Sequence, residues 1–153
     1  MIFYPPRTVS VSPDEPAVFY NIMNELSATE VELCDASVEF GFELFKQIEE
    51  QLDPADNIFM SPVSLSFCLG MIYNGAAGET REEIAQALQL SGFNDQEINS
   101  GYKNIAYLLH RVDPSVECLL ADSIWSQMGY PFLLVFLEIC IHCFQAEAQE
   151  IDF

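Results

Sequence analysis

Residues 62–74 constrain the fold most. At helical spacing, Val63, Leu65, Phe67, Cys68, Leu69, Met71 and Ile72 fall on nearly every side. A helix that is apolar all round is stable only when surrounded, so this stretch predicts a helix at the centre of a large domain. Ser61-Pro62 marks its start. A serine hydroxyl can accept a free backbone N–H at the N-cap, and proline suits the first helical position, where its missing N–H costs nothing. A buried helix start must be capped from within, because no water reaches its N–H groups. Gly75-Ala76-Ala77-Gly78 then breaks the helix.

Periodicity and punctuation give the other elements. Residues 1–27 hold Pro5, Pro6, Pro13 and Pro16 and show no clear period, so an irregular or disordered lead is expected there. Leu33, Ser37, Phe40, Leu44, Ile48 and Leu52 recur at three- and four-residue steps, with glutamates between them. That is a long amphipathic helix ending near Asp53-Pro54. Asn57-Ile58-Phe59-Met60 reads as a short buried strand. Thr80 with Glu83, and Asn94 with Glu97, have the spacing of capping boxes and predict two further helix starts. Ile84, Ala85 and Leu88 form the inner face of the first of these helices. Ile98, Tyr102, Ile105, Leu109 and Val112 carry the second as far as Asp113-Pro114. The stretch 116–127 has no helical period, Gly or Pro, and is apolar on both alternating faces. It predicts a central strand covered on both sides. Gly129-Tyr130-Pro131 marks a turn. Leu133, Phe136, Leu137, Cys140 and Phe144 share one face of a helix, and residues 149–153 begin another strand.

Composition excludes several function classes. The chain has 153 residues, half of them hydrophobic, which is enough for one domain with a core despite a formal charge of -19. Arg7, Lys46, Arg81, Lys103 and Arg111 are scattered. A nucleic-acid groove needs clustered positive charge, so nucleic acid is a poor partner, and an anionic membrane would repel the chain. The most apolar stretch, 131–144, is interrupted by Glu138 and His142 and is too short to span a bilayer. Met1-Ile2-Phe3-Tyr4-Pro5-Pro6 lacks the pattern of a secretory signal. The five cysteines are odd in number and irregularly spaced, which argues for mostly buried thiols over a disulfide scaffold.

The candidates for chemistry are sparse. Cys140-Ile-His-Cys143 has redox or metal spacing, but it falls late in a helix without a second pair nearby, and two incidental thiols are the simpler reading. His110 and His142 have no nucleophile elbow beside them, so an enzyme is not expected. Gly75-Ala-Ala-Gly78 lacks the Lys-Ser/Thr of a phosphate loop. Residues 1–56 carry twelve acidic and two basic residues without a calcium-loop pattern, which reads as a solvated face. No cofactor or metal is expected.

Four strings in order resemble one family. Asn57-Ile-Phe-Met-Ser61-Pro62-Val-Ser64-Leu is similar to the segment of strand and second helix in serpins, the serine protease inhibitors. Asn74-Gly-Ala-Ala-Gly78-Glu-Thr80, with Glu82-Glu83-Ile84 after it, resembles the next turn and helix. Ala121-Asp-Ser-Ile-Trp125 resembles the long strand of the main sheet. Gly129-Tyr-Pro131, Phe136-Leu137 and the pattern Phe144-x-Ala146-Glu147-x-Gln149-Glu150-x-Asp152-Phe153 resemble the helix and strand that come after it in the family. The correspondence runs from about residue 30 to the last residue.

The resemblance implies an α+β fold: residues 28–153 as the N-terminal portion of a serpin domain, with several helices packed on a few strands of the main and second sheets. It implies that Ser61, Pro62 and Ser64 match the shutter, the packed region that parts when the main sheet opens. It also implies inhibition of a serine or cysteine protease by a reactive loop that inserts into that sheet as a new strand. No reactive loop is read in these residues, and most of the main sheet is missing from them, so the chain by itself is not expected to inhibit. A non-inhibitory interaction module, self-associating through an exposed sheet edge, or a degenerate gene product are the alternatives. Family members are often extracellular, which leaves the compartment open. The stretch 97–112 carries only Lys103 and Arg111, so heparin is not expected as a partner. The run 133–144 departs from the family pattern: Val135 and Ile139 are apolar on the face that should be wet. Either something outside these residues covers it or the sequence has drifted.

Overall fold

A computed structural model describes residues 26–53, 55–111, 116–130 and 132–152. Among the described residues, five helices and two strands run in the order α1 (Ala28–Glu49), α2 (Pro62–Gly75), α3 (Gly78–Ala87), α4 (Asp95–Leu109), β1 (Ser123–Gln127), α5 (Leu134–Phe144) and β2 (Glu147–Ile151). The strands pair in parallel, with Ser123 opposite Glu147 and Gln127 opposite Ile151. Parallel neighbours need a crossover rather than a hairpin, and α5 provides it. Helix α2 lies between α1 and α5, while α4 packs on both α1 and α5.

Local chemistry sets the helix starts. Ser27 caps α1: its hydroxyl accepts the Glu30 N–H at 3.3 Å, and the Glu30 carboxylate accepts the Ser27 N–H at 2.7 Å. Asn94 and Glu97 make the same reciprocal pair at α4, at 3.0 and 2.8 Å. Each box satisfies donors that the helix itself cannot. The capping box expected at Thr80 and Glu83 does not form. The φ of +59° at Gly78 turns the chain so that the helix is already under way there, with Ala77 as N-cap. Thr80 is therefore inside the first turn, with nothing to cap.

The core lies where α1, α2, α4 and α5 converge. Leu33, Ala36 and Phe40 point inward from α1, and Phe67, Ile98, Cys140 and Phe144 are essentially shut off from solvent. Phe67 meets Tyr102 and Phe144 edge-on, with centroids 5.0 and 6.0 Å away, and Tyr102 lies 4.9 Å from Phe144. Edge-to-face contacts suit the ring quadrupoles and add to the gain from burial. Burial pushes the Tyr102 hydroxyl up to about 12, with Ser66 hydrogen-bonding to it and partly offsetting the shift.

Polar ties join α2 to its neighbours. The side-chain amides of Asn74 and Asn99 donate to each other's oxygens at 2.8 and 2.9 Å, and Asn74 also donates to the Gly70 carbonyl at 2.9 Å. The Tyr73 hydroxyl donates to Asp95 at 3.0 Å. Arg81 pairs with the same carboxylate while its guanidinium lies 4.2 Å from the Tyr73 ring centroid. The Arg81 hydrogen bond holds the Asp95 carboxyl below its usual range, with Tyr73 assisting. A further tie runs from Asn104 to Glu30, joining α4 to α1.

Several expectations need correction. Helix α2 is not covered on every side: Ser66, Phe67, Gly70, Met71 and Tyr73 are buried, but Leu65, Cys68 and Ile72 are exposed. Residues 57–60 form no strand, and the Phe59 ring projects fully into solvent. A strand is held by backbone hydrogen bonds to a neighbour, and no neighbouring strand is present at this segment among the described residues. The long covered strand expected over 116–127 reduces to 123–127 for the same reason, and Val116, Leu119 and Trp125 are exposed. The final strand begins at Glu147, two residues before its expected start, because pairing with β1 extends it. Of the cysteines only Cys140 is buried; Cys68 is exposed and Cys34, Cys118 and Cys143 are intermediate. Asp113-Pro114, Pro131 and most of the lead lie outside the described residues.

Candidate functional site

The residues singled out from sequence, Ser61, Pro62 and Ser64, come together at the start of α2. Ser61 has extended backbone (φ −118°, ψ 97°), and its hydroxyl accepts the Ser64 N–H at 3.3 Å. The two hydroxyls lie 2.9 Å apart, and the Ser61 carbonyl accepts the Leu65 N–H at 3.2 Å. Pro62 supplies the first helical residue with φ already set. Gly41 of α1 faces it so closely that a Cβ at Gly41 would sit 3.1 Å from the Pro62 Cβ. The absent side chain lets α1 and the start of α2 approach.

The cap forms as the sequence predicts, but its surroundings differ from the expectation. Ser61 and Ser64 are exposed and Pro62 is partly covered, so solvent reaches this helix start. The cap still contributes, since an exposed N-cap holds its first turn against fraying. Ser61→Ala lowers stability by about 1 kcal/mol, while Ser61→Gly costs only a few tenths. Urea unfolding monitored by circular dichroism distinguishes the two. Equal and negligible losses would count against the cap.

An apolar groove of ≈ 600 Å³ opens beside this junction. Val38, Gly41, Phe42 and Phe45 line one side, and Ile58, Phe59, Met60, Pro62 and Val63 line the other. Phe45 and Ile58 continue into a second hollow bordered by Glu49, Glu50, Asp53 and Asp56. The inward stripe of α1 passes through Leu33 and Phe40 and does not include Phe42 or Phe45. A second stripe, Val38-Phe42-Phe45 at i, i+4 and i+7, is the sequence signal for this groove.

The remaining chemical candidates do not converge. His110 is the exposed C-cap of α4, and His142 is exposed in the last turn of α5. Burial pushes the Cys140 thiol up to about 11, with Cys143 adding to the shift, and Cys143 is itself raised by burial. Both are therefore poor thiolates. Among the described residues, no group of three His, Cys, Asp or Glu could hold a metal ion, and no helix is long and apolar enough to cross a membrane.

This arrangement defines a partial α+β fold in which α5 connects and packs on one short parallel pair beside the other helices. Comparison with known proteins supplies its class. The model of the Serpin (serine protease inhibitor) family matches residues 35–153. Human Serpin B8 is 33% identical over 122 residues, covering 80% of this chain and 32% of the relative. Human corticosteroid-binding globulin is 30% identical over 145 residues, covering 92% of this chain and 34% of the relative. The structure of reaction-loop-cleaved lamprey angiotensinogen superposes with a TM-score of 0.72 at 27% identity, covering 82% of this chain and 36% of that one. The chain belongs to the serpin family. It spans about a third of the length of the curated relatives it matches.

Proposed function

We propose that this chain contributes the N-terminal part of a serpin-type inhibitor of serine or cysteine endopeptidases, acting by reactive-loop insertion in the complete domain, and that it has no enzymatic activity of its own. The observation that carries this reading is the match of the serine protease inhibitor family to residues 35–153. Within that reading Ser61, Pro62 and Ser64 serve as part of the shutter, at the junction where α1 approaches α2. The extracellular setting common in the family belongs to the same proposal. Heparin is not proposed as a partner, because only Lys103 and Arg111 are basic between residues 95 and 111. Nucleic acid and membranes are set aside on the chain's charge of -19.

The described residues carry one two-stranded sheet. A trap that works by adding a strand needs a sheet to receive it, so these 153 residues alone should not hold a protease. The test is incubation with trypsin-like and chymotrypsin-like proteases, then denaturing electrophoresis. The expected result is cleavage of the chain without an SDS-stable complex; a stable complex would overturn the inactivity of the isolated chain.

A second reading is a non-inhibitory association module. It is favoured by the apolar surface at Phe42, Phe59, Leu133, Leu134 and Val135, together with the outer edges of β1 and β2, which no other described strand covers. Exposed apolar patches and open edges drive association. Size-exclusion chromatography with light scattering should then give a mass above that of the 17.3 kDa monomer. A monomer with a cooperative melt would exclude this reading.

A further inference from the structure

We draw no further inference here: the strongest candidate, the apolar groove between α1 and residues 58–63 with its acidic continuation at Glu49, Glu50, Asp53 and Asp56, carries none, because the chain spans only about a third of its relatives' length and nothing in the structure shows what covers that face.

Discussion

Phe67→Ala lowers the stability of the chain by about 3–5 kcal/mol, the range for truncating a buried aromatic. The Phe67 ring is almost wholly buried and stands edge-on to both Tyr102 and Phe144. Truncation removes its transfer energy and leaves a void that the two remaining rings cannot fill without giving up their own contact. A domain of this size commonly holds about 5–15 kcal/mol in all, so the variant sits close to unfolding. The check is the urea midpoint, with the slope unchanged. Phe42→Ala is the control, because that ring is 72% exposed and its truncation should stay within about 0.5 kcal/mol. If the two variants unfolded together, the core would not be centred on this trio.

Gly70→Leu has the second largest effect. A Cβ built at Gly70 would lie 2.8 Å from Phe144 Cε1 and 3.0 Å from carbons of the Tyr102 ring. The rings are flat and mutually packed, so they cannot yield as the tip of a flexible side chain would. Overpacking of this kind costs about 1–3 kcal/mol, occasionally more, while leaving glycine regains up to about 1 kcal/mol of helix propensity. The net expectation is a loss of about 2 kcal/mol. The diagnostic is non-additivity: combined with Phe144→Ala, Gly70→Leu should cost less than the sum of the two changes by about 0.5–3 kcal/mol, since the truncated ring makes room. Strict additivity would mean that Gly70 and Phe144 do not touch.

The parts of the fold that were legible in the sequence are those decided within one or two helical turns. Asn94 and Glu97 satisfy each other's backbone donors three residues apart, and the structure forms the box that this spacing predicts. Ser61-Pro62 likewise sets the start of α2 from local chemistry alone. Thr80 caps nothing because a neighbouring signal competes with it: Gly78, in left-handed backbone, starts the helix before the threonine is reached. The strands were the hardest to read. Residues 57–60 and 116–122 carry the composition of covered strands, but pairing is a property of two distant segments, and only 123–127 meets its partner. The composition of these residues anticipates neighbours that the described chain does not supply.

The candidate site was legible as a cap and illegible as an environment. The serine and proline identities report backbone donors and a fixed φ, which are local needs. Whether water reaches them depends on what lies across from α1, and the two serines turn out to be wet. The groove beside them was missed because the stripe through Leu33 and Phe40 dominates the reading of α1. The offset stripe of Val38, Phe42 and Phe45 is secondary and becomes visible only when Ile58 and Phe59 come alongside. Family likeness therefore locates the segment more securely than periodicity locates its buried surface.

The two asparagines that clasp each other between α2 and α4 also bear on alignment. Apolar side chains tolerate sliding, because one methyl serves nearly as well as another. Two amides that each donate and accept do not: displacing either helix by a single residue would break both hydrogen bonds and strand their polar groups beside the core. The clasp thus works as a key for rotational phase, selecting one seating of α2 on α4 from several that greasy contact alone would permit.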